Sequence, residues 1–193
     1  MYETKLVARI KKYNETEVIE KAMHLFWKNG YEATSMQMLE KEMGINKFSI
    51  YASFKNKDGV FTESLNCYKE KLNVLIQKLR TSNNGVKDIE IYFNDFIVFS
   101  KGPKLGKGCL VTNSVNEIGN NTDEDIKTML SNFLKEIKDV FAEKLKQNSD
   151  KTEALINEQA DFLVISIFGL ANASKIFNKE QTTNYIKNIF RNI

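Results

Sequence analysis

Residues 30–57, GYEATSMQMLEKEMGINKFSIYASFKNK, decide the fold of this chain. The stretch reads as two short helices joined by a tight turn at Gly44, and its last part is polar and aromatic and contains no acidic residue. This is the outline of a helix-turn-helix, in which the second helix lies in the major groove of DNA. The stretch therefore predicts a DNA-binding regulator.

Apolar residues spaced three or four positions apart predict three helices in this part of the chain. The three predicted helices cover residues 15–29, 36–43 and 47–54. Gly30 is expected to end the first helix, and Thr34 and Ser35 supply an N-cap for the second. In the third helix, Ile50 and Phe54 lie four residues apart and point inward, which leaves the other positions on an outer face.

The rest of the sequence also reads as helical, since it shows no strand alternation and contains a single proline. A long fourth helix begins near Lys57 and ends before Ser82, and its apolar stripe links the N-terminal motif to the remaining chain. Further helices are predicted at 86–101, 109–118, 123–147, 152–178 and 182–192. We predict an all-α fold of nine helices, with a helix-turn-helix DNA-binding domain at 1–57 and a helical regulatory and dimerisation domain at 58–193.

The net charge of +3 is concentrated in the N-terminal part of the chain. Residues 1–57 contain ten Lys or Arg and seven Asp or Glu, whereas residues 58–193 contain equal numbers of both. Positive charge attracts phosphate without regard to base sequence. The charge distribution therefore supports binding to a polyanion and does not identify a particular DNA site.

The composition disfavours several other classes of protein. Cys67 and Cys109 make no disulfide framework, which favours a reducing cytoplasm. Residues 1–14 contain no apolar signal segment, and the apolar stretch 162–173 is too short to span a bilayer, so we expect no membrane partner. Because the chain has one histidine, His24, and no phosphate loop or nucleophile motif, we expect no enzyme activity, no metal and no cofactor.

The segment 162–173 carries apolar residues on nearly its whole circumference, and a helix of that kind must be covered on all sides. Small residues at positions 169, 171 and 173 allow another helix to approach closely. We interpret this helix as packing on its own domain with one side and on a second subunit with the other. A central helix in a large monomeric core is the alternative interpretation.

The order of residues 30–61 resembles that of the TetR (tetracycline-repressor) family of bacterial transcription regulators. The matching positions are Gly30, Tyr31, Thr34, Ser35, Met36, Leu39, Gly44, Ile45, Ser49, Ile50, Tyr51, Phe54, Lys57 and Phe61. The resemblance implies a nine-helix homodimer that binds a palindromic operator in double-stranded DNA, with the first three helices on DNA and the last two in a dimer bundle. Glu40 departs from the family pattern, since alanine is common there. The residues Gly108–Val111 resemble a GCL sequence in a subset of the family, some of whose members respond to reactive electrophiles.

The resemblance assigns DNA contacts to the second, third and fourth helices. With the outer face of the third helix included, the candidate DNA-binding residues are Thr34, Ser35, Lys47, Phe48, Ser49, Tyr51, Ser53 and Lys57. Thr34 and Ser35 are expected to offer hydroxyl and N–H groups to phosphate. Phe48 and its two neighbours in the chain are placed for base edges, where Phe48 could meet a thymine methyl. Tyr51 and Lys57 match phosphate-binding positions, although an aromatic brace for Tyr51 and a solvated surface position for Lys57 stay open.

The basic N-terminal segment is a further candidate for DNA contact. The basic residues of this segment that could contact DNA are Lys5, Arg9, Lys11 and Lys12. They form either an arm that reaches the minor groove or a solvated chain end, and both interpretations stay open.

The resemblance also implies a ligand pocket walled by helices four to eight. The candidate lining residues are Tyr68, Leu72, Phe93, Phe96, Cys109, Phe133, Ile137 and Phe168. Apolar stripes of this kind are also typical of a packed core; a pocket among them suits an apolar or reactive small molecule. Cys109 follows Lys104 and Lys107, which is expected to favour its thiolate, while a buried apolar role is the alternative. We predict a ligand- or electrophile-responsive repressor, with a thiol sensor acting through Cys109 and a ligand-insensitive DNA-binding protein as alternatives.

Overall fold

A computed structural model describes residues 13–101, 108–117, 123–147 and 149–193. Within these ranges the chain forms nine α-helices and no β-strand, which confirms the predicted all-α fold. The helices are α1 (Glu15–Asn29), α2 (Met36–Met43), α3 (Lys47–Phe54), α4 (Lys57–Thr81), α5 (Val86–Lys101), α6 (Leu110–Glu117), α7 (Glu124–Lys146), α8 (Glu153–Ala173) and α9 (Lys179–Arg191).

Side-chain caps fix the starts of the first three helices. The side chains of Asn14, Ser35 and Asn46 accept hydrogen bonds from backbone N–H groups in the first turns of α1, α2 and α3. Gly44 has a left-handed φ of 69° between α2 and α3, a conformation that glycine adopts without a Cβ clash. The predicted bounds of these three helices are confirmed, because each end carries a strong local signal.

The helix α4 joins the N-terminal helices to the rest of the chain. It packs along α1, where the rings of Phe26 and Phe61 meet edge to face with 4.9 Å between their centroids. Lys71 on α4 and Glu20 on α1 add an ion pair at 2.6 Å. Further along α4, the buried side chains include Leu65, Tyr68, Leu72, Ile76 and Leu79. The two halves of the chain therefore share one continuous helix.

Two helix ends near the C-terminus differ from the prediction. The helix α8 ends at Ala173 instead of near position 178, and α9 begins at Lys179 instead of position 182. The start of α9 is set by a capping box, in which the Asn178 side chain accepts from the Gln181 N–H and the Gln181 side chain accepts from the Asn178 N–H. This cap starts α9 earlier than its apolar residues alone indicate.

The helix α8 is covered on one side and open on the other. Its buried residues are Ile156, Ala160, Leu163, Ser166, Ile167, Leu170 and Ala171. With 21 residues, α8 is long and apolar enough to cross a membrane by length and composition, a property that core helices of soluble proteins share. The prediction that the apolar stretch is too short to span a bilayer counted residues 162–173 alone, and it is wrong on length because the apolar helix extends from Glu153 to Ala173.

A buried lysine caps the carbonyl groups at the C-terminal end of α4. The ammonium of Lys144 donates hydrogen bonds to the backbone carbonyls of Arg80 and Ser82, with 3.0 Å to the Arg80 oxygen. Asp88, which is also buried, accepts a hydrogen bond from the Asn84 backbone N–H at 2.7 Å. These charges are tolerated in the interior because each is hydrogen-bonded, and together they join α4, α5 and α7.

Candidate DNA-binding surface and regulatory core

The outer face of α3 is exposed and the opposite face is fixed in the core. Ile50 and Phe54 are buried, as predicted, and they hold α3 against the rest of the N-terminal helices. Phe48 is 77% exposed and Tyr51 is 43% exposed, and Lys47 at the first position of α3 is also exposed. Two exposed aromatic rings on one short helix leave apolar surface in water, which is unfavourable in free energy. This face therefore has the character of a binding surface.

The start of α2 offers fewer side-chain groups than the sequence predicts. Ser35 is exposed and its hydroxyl caps the Met38 N–H at 3.2 Å. Thr34, in contrast, is fully buried, and its hydroxyl donates to the Gly30 carbonyl at 2.6 Å. The expectation that the Thr34 hydroxyl is available to phosphate is therefore wrong, because that hydroxyl closes the turn after α1.

Glu40, the residue that departs from the family pattern, holds α2 to α3. Its carboxylate accepts a hydrogen bond from the Lys47 backbone N–H at 2.9 Å. That N–H belongs to the first turn of α3, where no carbonyl within the helix can pair with it and where the helix dipole favours negative charge. The glutamate therefore fixes the angle between the two helices of the motif, a role that its position in the sequence does not reveal.

Lys57 is placed at the head of α4 by contacts with the turn between α1 and α2. Its ammonium lies 4.2 Å from the centroid of the Tyr31 ring and 3.5 Å from the Glu32 carbonyl oxygen. The hydroxyl of Tyr31 donates to the carboxylate of Asp58. Burial and this hydrogen bond raise the pKa of Tyr31 well above its usual value, so Tyr31 is a neutral donor. Lys57 is thus a half-buried, positioned cation and not a freely solvated one.

Tyr13 ties the beginning of the described chain to α3. Its hydroxyl lies 2.7 Å from the Ser53 hydroxyl and donates to the Ser49 carbonyl at 3.4 Å. The Ser53 side chain is therefore engaged within the protein, although it lies toward the outer side as predicted. The basic candidates Lys5, Arg9, Lys11 and Lys12 lie outside the described residues.

The connection between α3 and α4 is a strained turn. Lys55 has φ 68° and ψ −56°, and the Asn56 N–H donates to the Phe54 carbonyl at 2.8 Å, which together define a γ-turn. Asn56 then caps α4 by accepting from the Gly59 N–H at 2.8 Å. A Cβ at Gly59 would overlap the Phe54 carbonyl oxygen, so only glycine permits this close approach. The turn therefore sets the angle between α3 and α4.

The helix α6 contacts the N-terminal helices at both of its ends. At its beginning, the indole N–H of Trp27 on α1 donates to the Gly108 carbonyl at 3.0 Å. At its end, the Glu117 carboxylate accepts from the Glu32 N–H at 2.8 Å. The same carboxylate lies where a Cβ at Gly30 would be, and Gly30 has a positive φ of 84°. These contacts join residues more than eighty positions apart, and no local pattern predicts them.

The predicted ligand pocket is almost closed in this structure. A cavity of about 20 Å³ lies between α4, α5, α6, α7 and α8, which is about the space of one water molecule. Of the predicted lining residues, the cavity wall contains Leu72, Phe96, Cys109, Phe133, Ile137 and Phe168. Phe93 instead packs on Phe141 and Phe190, and Tyr68 packs on Trp27 and Phe99.

Cys109 does not have the environment that its sequence neighbours indicate. Its side chain is 3% exposed, and burial raises the pKa of its thiol, so the thiolate is disfavoured. Lys104 and Lys107 lie outside the described residues, and Lys175 donates to Asn113 on α6. The buried hydroxyl of Tyr68 lies beside this thiol, yet it completes no hydrogen bond with any described part of the chain. The expectation of a thiolate at Cys109 is therefore wrong for this conformation.

The open sides of α8 and α9 form an apolar surface. The exposed apolar side chains are Leu155, Phe162 and Ile165 on α8, Ile176 and Phe177 in the connection after it, and Tyr185 on α9. Between the two helices lies a groove of about 330 Å³ lined by Gly169, Leu170, Ala173, Phe177, Gln181, Thr182 and Tyr185. Ile165 is 70% exposed, which is unfavourable for a large aliphatic side chain on a surface that remains in water.

Residues 18–63 match the family described as bacterial regulatory proteins, tetR family. This range contains α1, α2, α3 and the start of α4, which are the helices that present the exposed α3 face. The N-terminal part of the chain is a TetR-family domain. The GCL subset suggested by residues 108–111 is a finer assignment, and the match to residues 18–63 does not reach it.

Curated relatives that match most of the chain's length are transcription regulators. The uncharacterized HTH-type transcriptional regulator YezE of Bacillus subtilis (strain 168) is 25% identical over 162 residues, which cover 83% of this chain and 82% of YezE. The biofilm operon icaADBC HTH-type negative transcriptional regulator IcaR of Staphylococcus aureus (strain Newman) is 24% identical over 142 residues, covering 72% of this chain and 76% of IcaR.

A solved structure supports the fold of the chain over both halves. The TetR family transcriptional regulator CifR, as a cysteine mutant complexed with 26 bp double-strand operator DNA, superposes with a TM-score of 0.84. The superposition covers 95% of this chain and 98% of CifR at 22% sequence identity. At this level of identity the likeness establishes the arrangement of the helices alone.

Proposed function

We propose that the chain is a TetR-family regulator: a homodimeric, cytoplasmic repressor that binds a palindromic operator and leaves it when a small molecule binds. The observation that carries the proposal is the exposed face of α3, with Phe48 and Tyr51 in solvent and Ile50 and Phe54 fixed in the core. A helix presented in this way by a helix-turn-helix fits the major groove of B-DNA. The proposed role is that of a regulator and not of an enzyme.

The proposed contacts with phosphate come from groups at helix starts. Ser35 presents the N-terminal N–H groups of α2 together with its hydroxyl, whereas Thr34 contributes only through its backbone. Lys57 brings a cation that the Tyr31 ring holds in place. Lys47 and Tyr51 lie one helical turn apart on the same side of α3, with the Lys47 ammonium 5.7 Å from the centroid of the Tyr51 ring. These groups set the register on DNA, and the face around Phe48 meets the base edges.

The proposed dimer forms through the apolar surface of α8 and α9. Ile165 is exposed and a groove lies between the two helices, so this surface is suited to being covered by another apolar surface. In a two-fold dimer the covering surface is the same one on the second subunit. A two-fold dimer reads two half-sites about 34–36 Å apart or at a multiple of that distance. The CifR structure is a complex with double-strand operator DNA, and IcaR is named a negative transcriptional regulator; the two support operator binding and repression.

The proposed release couples the cavity to α3 through α6. Cys109 and residues 111 and 112 line the cavity, and the ends of α6 hold Trp27 and Glu32 by hydrogen bonds. A ligand larger than the cavity must displace its walls, and a shift of α6 then changes the position of the N-terminal helices. A coupling of about 1–3 kcal/mol lowers operator affinity about 5- to 150-fold.

A gel-shift titration on the DNA that flanks the chain's own gene tests the proposal. With roughly 6–10 phosphate contacts, affinity should fall by about 10³–10⁵ between about 50 and 200 mM salt. Lys47→Ala should weaken binding and flatten the salt dependence, while the control Lys135→Ala, which removes an exposed lysine of α7, should leave both unchanged. Binding that does not respond to salt, or equal effects of the two variants, contradicts the proposal.

A thiol sensor acting through Cys109 is the second candidate. It is favoured by the place of Cys109 in the cavity wall beside Tyr68, and the CifR structure also carries engineered cysteine substitutions. Because burial disfavours the thiolate, this sensor needs an opened conformation before it reacts. Cys109→Ser should abolish release of the protein from operator DNA by an electrophile. An unchanged response excludes the cysteine, and a lack of response to any small molecule favours a ligand-insensitive DNA-binding protein.

A further inference from the structure

The ridge of α3 that lies farthest from the core is apolar. At about 100° per residue, Phe48 and Ala52 each lie roughly 160° around the helix from the buried Ile50. They are four residues apart, so they stand one above the other on the outer side of α3. Both side chains are exposed and neither carries a hydrogen-bond donor or acceptor.

The polar side chains that flank this ridge are poorly suited to reading bases by hydrogen bonds. The sequence of α3, KFSIYASF, contains no Arg, Asn, Gln, Asp or Glu, the residues that pair with guanine, adenine or cytosine edges. The Ser53 hydroxyl is engaged with Tyr13. The Lys47 ammonium lies over the Tyr51 ring, to one side of the ridge. Lys47 and Ser49 are then the side chains of α3 left to hydrogen-bond base edges, and a single serine hydroxyl discriminates little between bases.

We propose that Phe48 identifies the operator by contact with thymine C5-methyl groups in each half-site, a specificity that rests on the proposed DNA-binding function. The thymine methyl is the apolar group that unmodified B-DNA presents in its major groove. Phe48 is 77% exposed without DNA, so contact with a methyl removes apolar surface of both partners from water. Ala52, one turn further along α3, is short enough to leave room for the base pair beside it. The favoured ligand is a duplex with thymine at the position that Phe48 meets, and a cytosine there is disfavoured.

Replacing single thymines by deoxyuridine tests this reading, because the change removes the methyl and keeps every hydrogen-bonding group of the base pair. The probe is a fluorescent duplex that carries the site protected in the flanking DNA, and anisotropy gives its Kd. Deoxyuridine at the two symmetric positions facing Phe48 should weaken binding about 3- to 10-fold per half-site, the value expected for burying one methyl group. Deoxyuridine elsewhere in the duplex is the matched control and should leave the Kd unchanged.

The same titrations with protein variants assign the effect to the side chain. Phe48→Ala should bind thymine and deoxyuridine duplexes equally, Phe48→Leu should keep part of the preference, and Lys47→Ala should keep all of it. These positions are exposed, so the variants retain the buried contacts of α3, which circular dichroism verifies. Replacing the same thymine by 5-methylcytosine should bind better than replacing it by cytosine.

Two results separate failure of this inference from failure of the proposed function. Specific binding of the wild-type protein with no penalty for deoxyuridine at any position overturns methyl recognition and leaves operator binding intact. An unchanged deoxyuridine penalty in Phe48→Ala also overturns the assignment to Phe48. Absence of any sequence-specific duplex overturns both proposals together.

Discussion

The γ-turn at Lys55 allows a direct test of how rigidly α3 is mounted on α4. A residue with a Cβ in this left-handed region of φ and ψ costs about 1–3 kcal/mol relative to a relaxed conformation. Glycine adopts the same conformation without that cost but loses about 0.5–1 kcal/mol through the extra freedom of the unfolded chain. We therefore expect Lys55→Gly to stabilise the folded protein by about 1 kcal/mol.

For a chain of this size, 1 kcal/mol corresponds to a rise in Tm of about 2–4 °C. The assay is thermal unfolding followed by circular dichroism at one fixed protein concentration, since the Tm of a dimer depends on concentration. Lys55→Ala is the matched control, because it removes the same ammonium and keeps the Cβ and the strain. Any effect of the lost charge on stability or on DNA binding is then shared by the two variants.

The expected result is a Tm for Lys55→Gly that exceeds those of the wild type and of Lys55→Ala by about 2–4 °C. Equal Tm values for the two variants would refute the strained turn, since only the glycine can relieve it. A lower Tm for Lys55→Gly than for Lys55→Ala would show that position 55 needs an ordinary helical or extended conformation.

Four further substitutions or reactions test other contacts. Tyr68→Phe should raise the free energy of unfolding by about 1 kcal/mol, because it removes a buried hydroxyl that completes no hydrogen bond within the described residues; a clear loss of stability in thermal unfolding contradicts this. Ile165→Lys should convert the dimer to a folded monomer in light scattering, and a persistent dimer would place the interface elsewhere. Gly59→Ala should destabilise the protein and abolish operator binding in gel shifts, because its Cβ overlaps a backbone oxygen. Iodoacetamide should modify the half-buried Cys67 before Cys109 in mass spectrometry, and raising the pH should increase both rates, since burial raises both thiol pKa values; faster labelling of Cys109 would contradict its burial.

The helices of the DNA-binding motif could be predicted from the sequence because their ends are set locally. Gly44 between two short apolar stripes, with Ser35 and Asn46 as caps, gives the same bounds in the sequence and in the structure. The exposed positions of α3 followed from the two buried residues Ile50 and Phe54. The gap between α8 and α9 was missed because the Asn178 cap lies in a polar stretch that also continues a helical pattern.

Contacts between distant parts of the chain could not be predicted in this way. The Glu117 carboxylate meets the backbone of Glu32, and the Trp27 indole meets Gly108, and neither pair has a signal in the local sequence. From the sequence alone, the Thr34 hydroxyl cannot be told from that of an exposed N-cap residue. Only the structure shows that it is buried and donates to the Gly30 carbonyl. For Cys109, neighbouring lysines in the chain indicated a thiolate, whereas burial of the side chain raises the pKa of its thiol.

The central claim is that α3 is presented twice, by two subunits related by a dyad, to successive major grooves of one operator. Hydroxyl-radical footprinting on the DNA beside the chain's own gene measures this most directly. The account predicts two symmetric protected regions on one face of the duplex, with centres about 34–36 Å apart or at a multiple of that spacing. A single protected region, or a symmetric footprint that survives unchanged when Lys47 and Phe48 are both replaced by alanine, would contradict it.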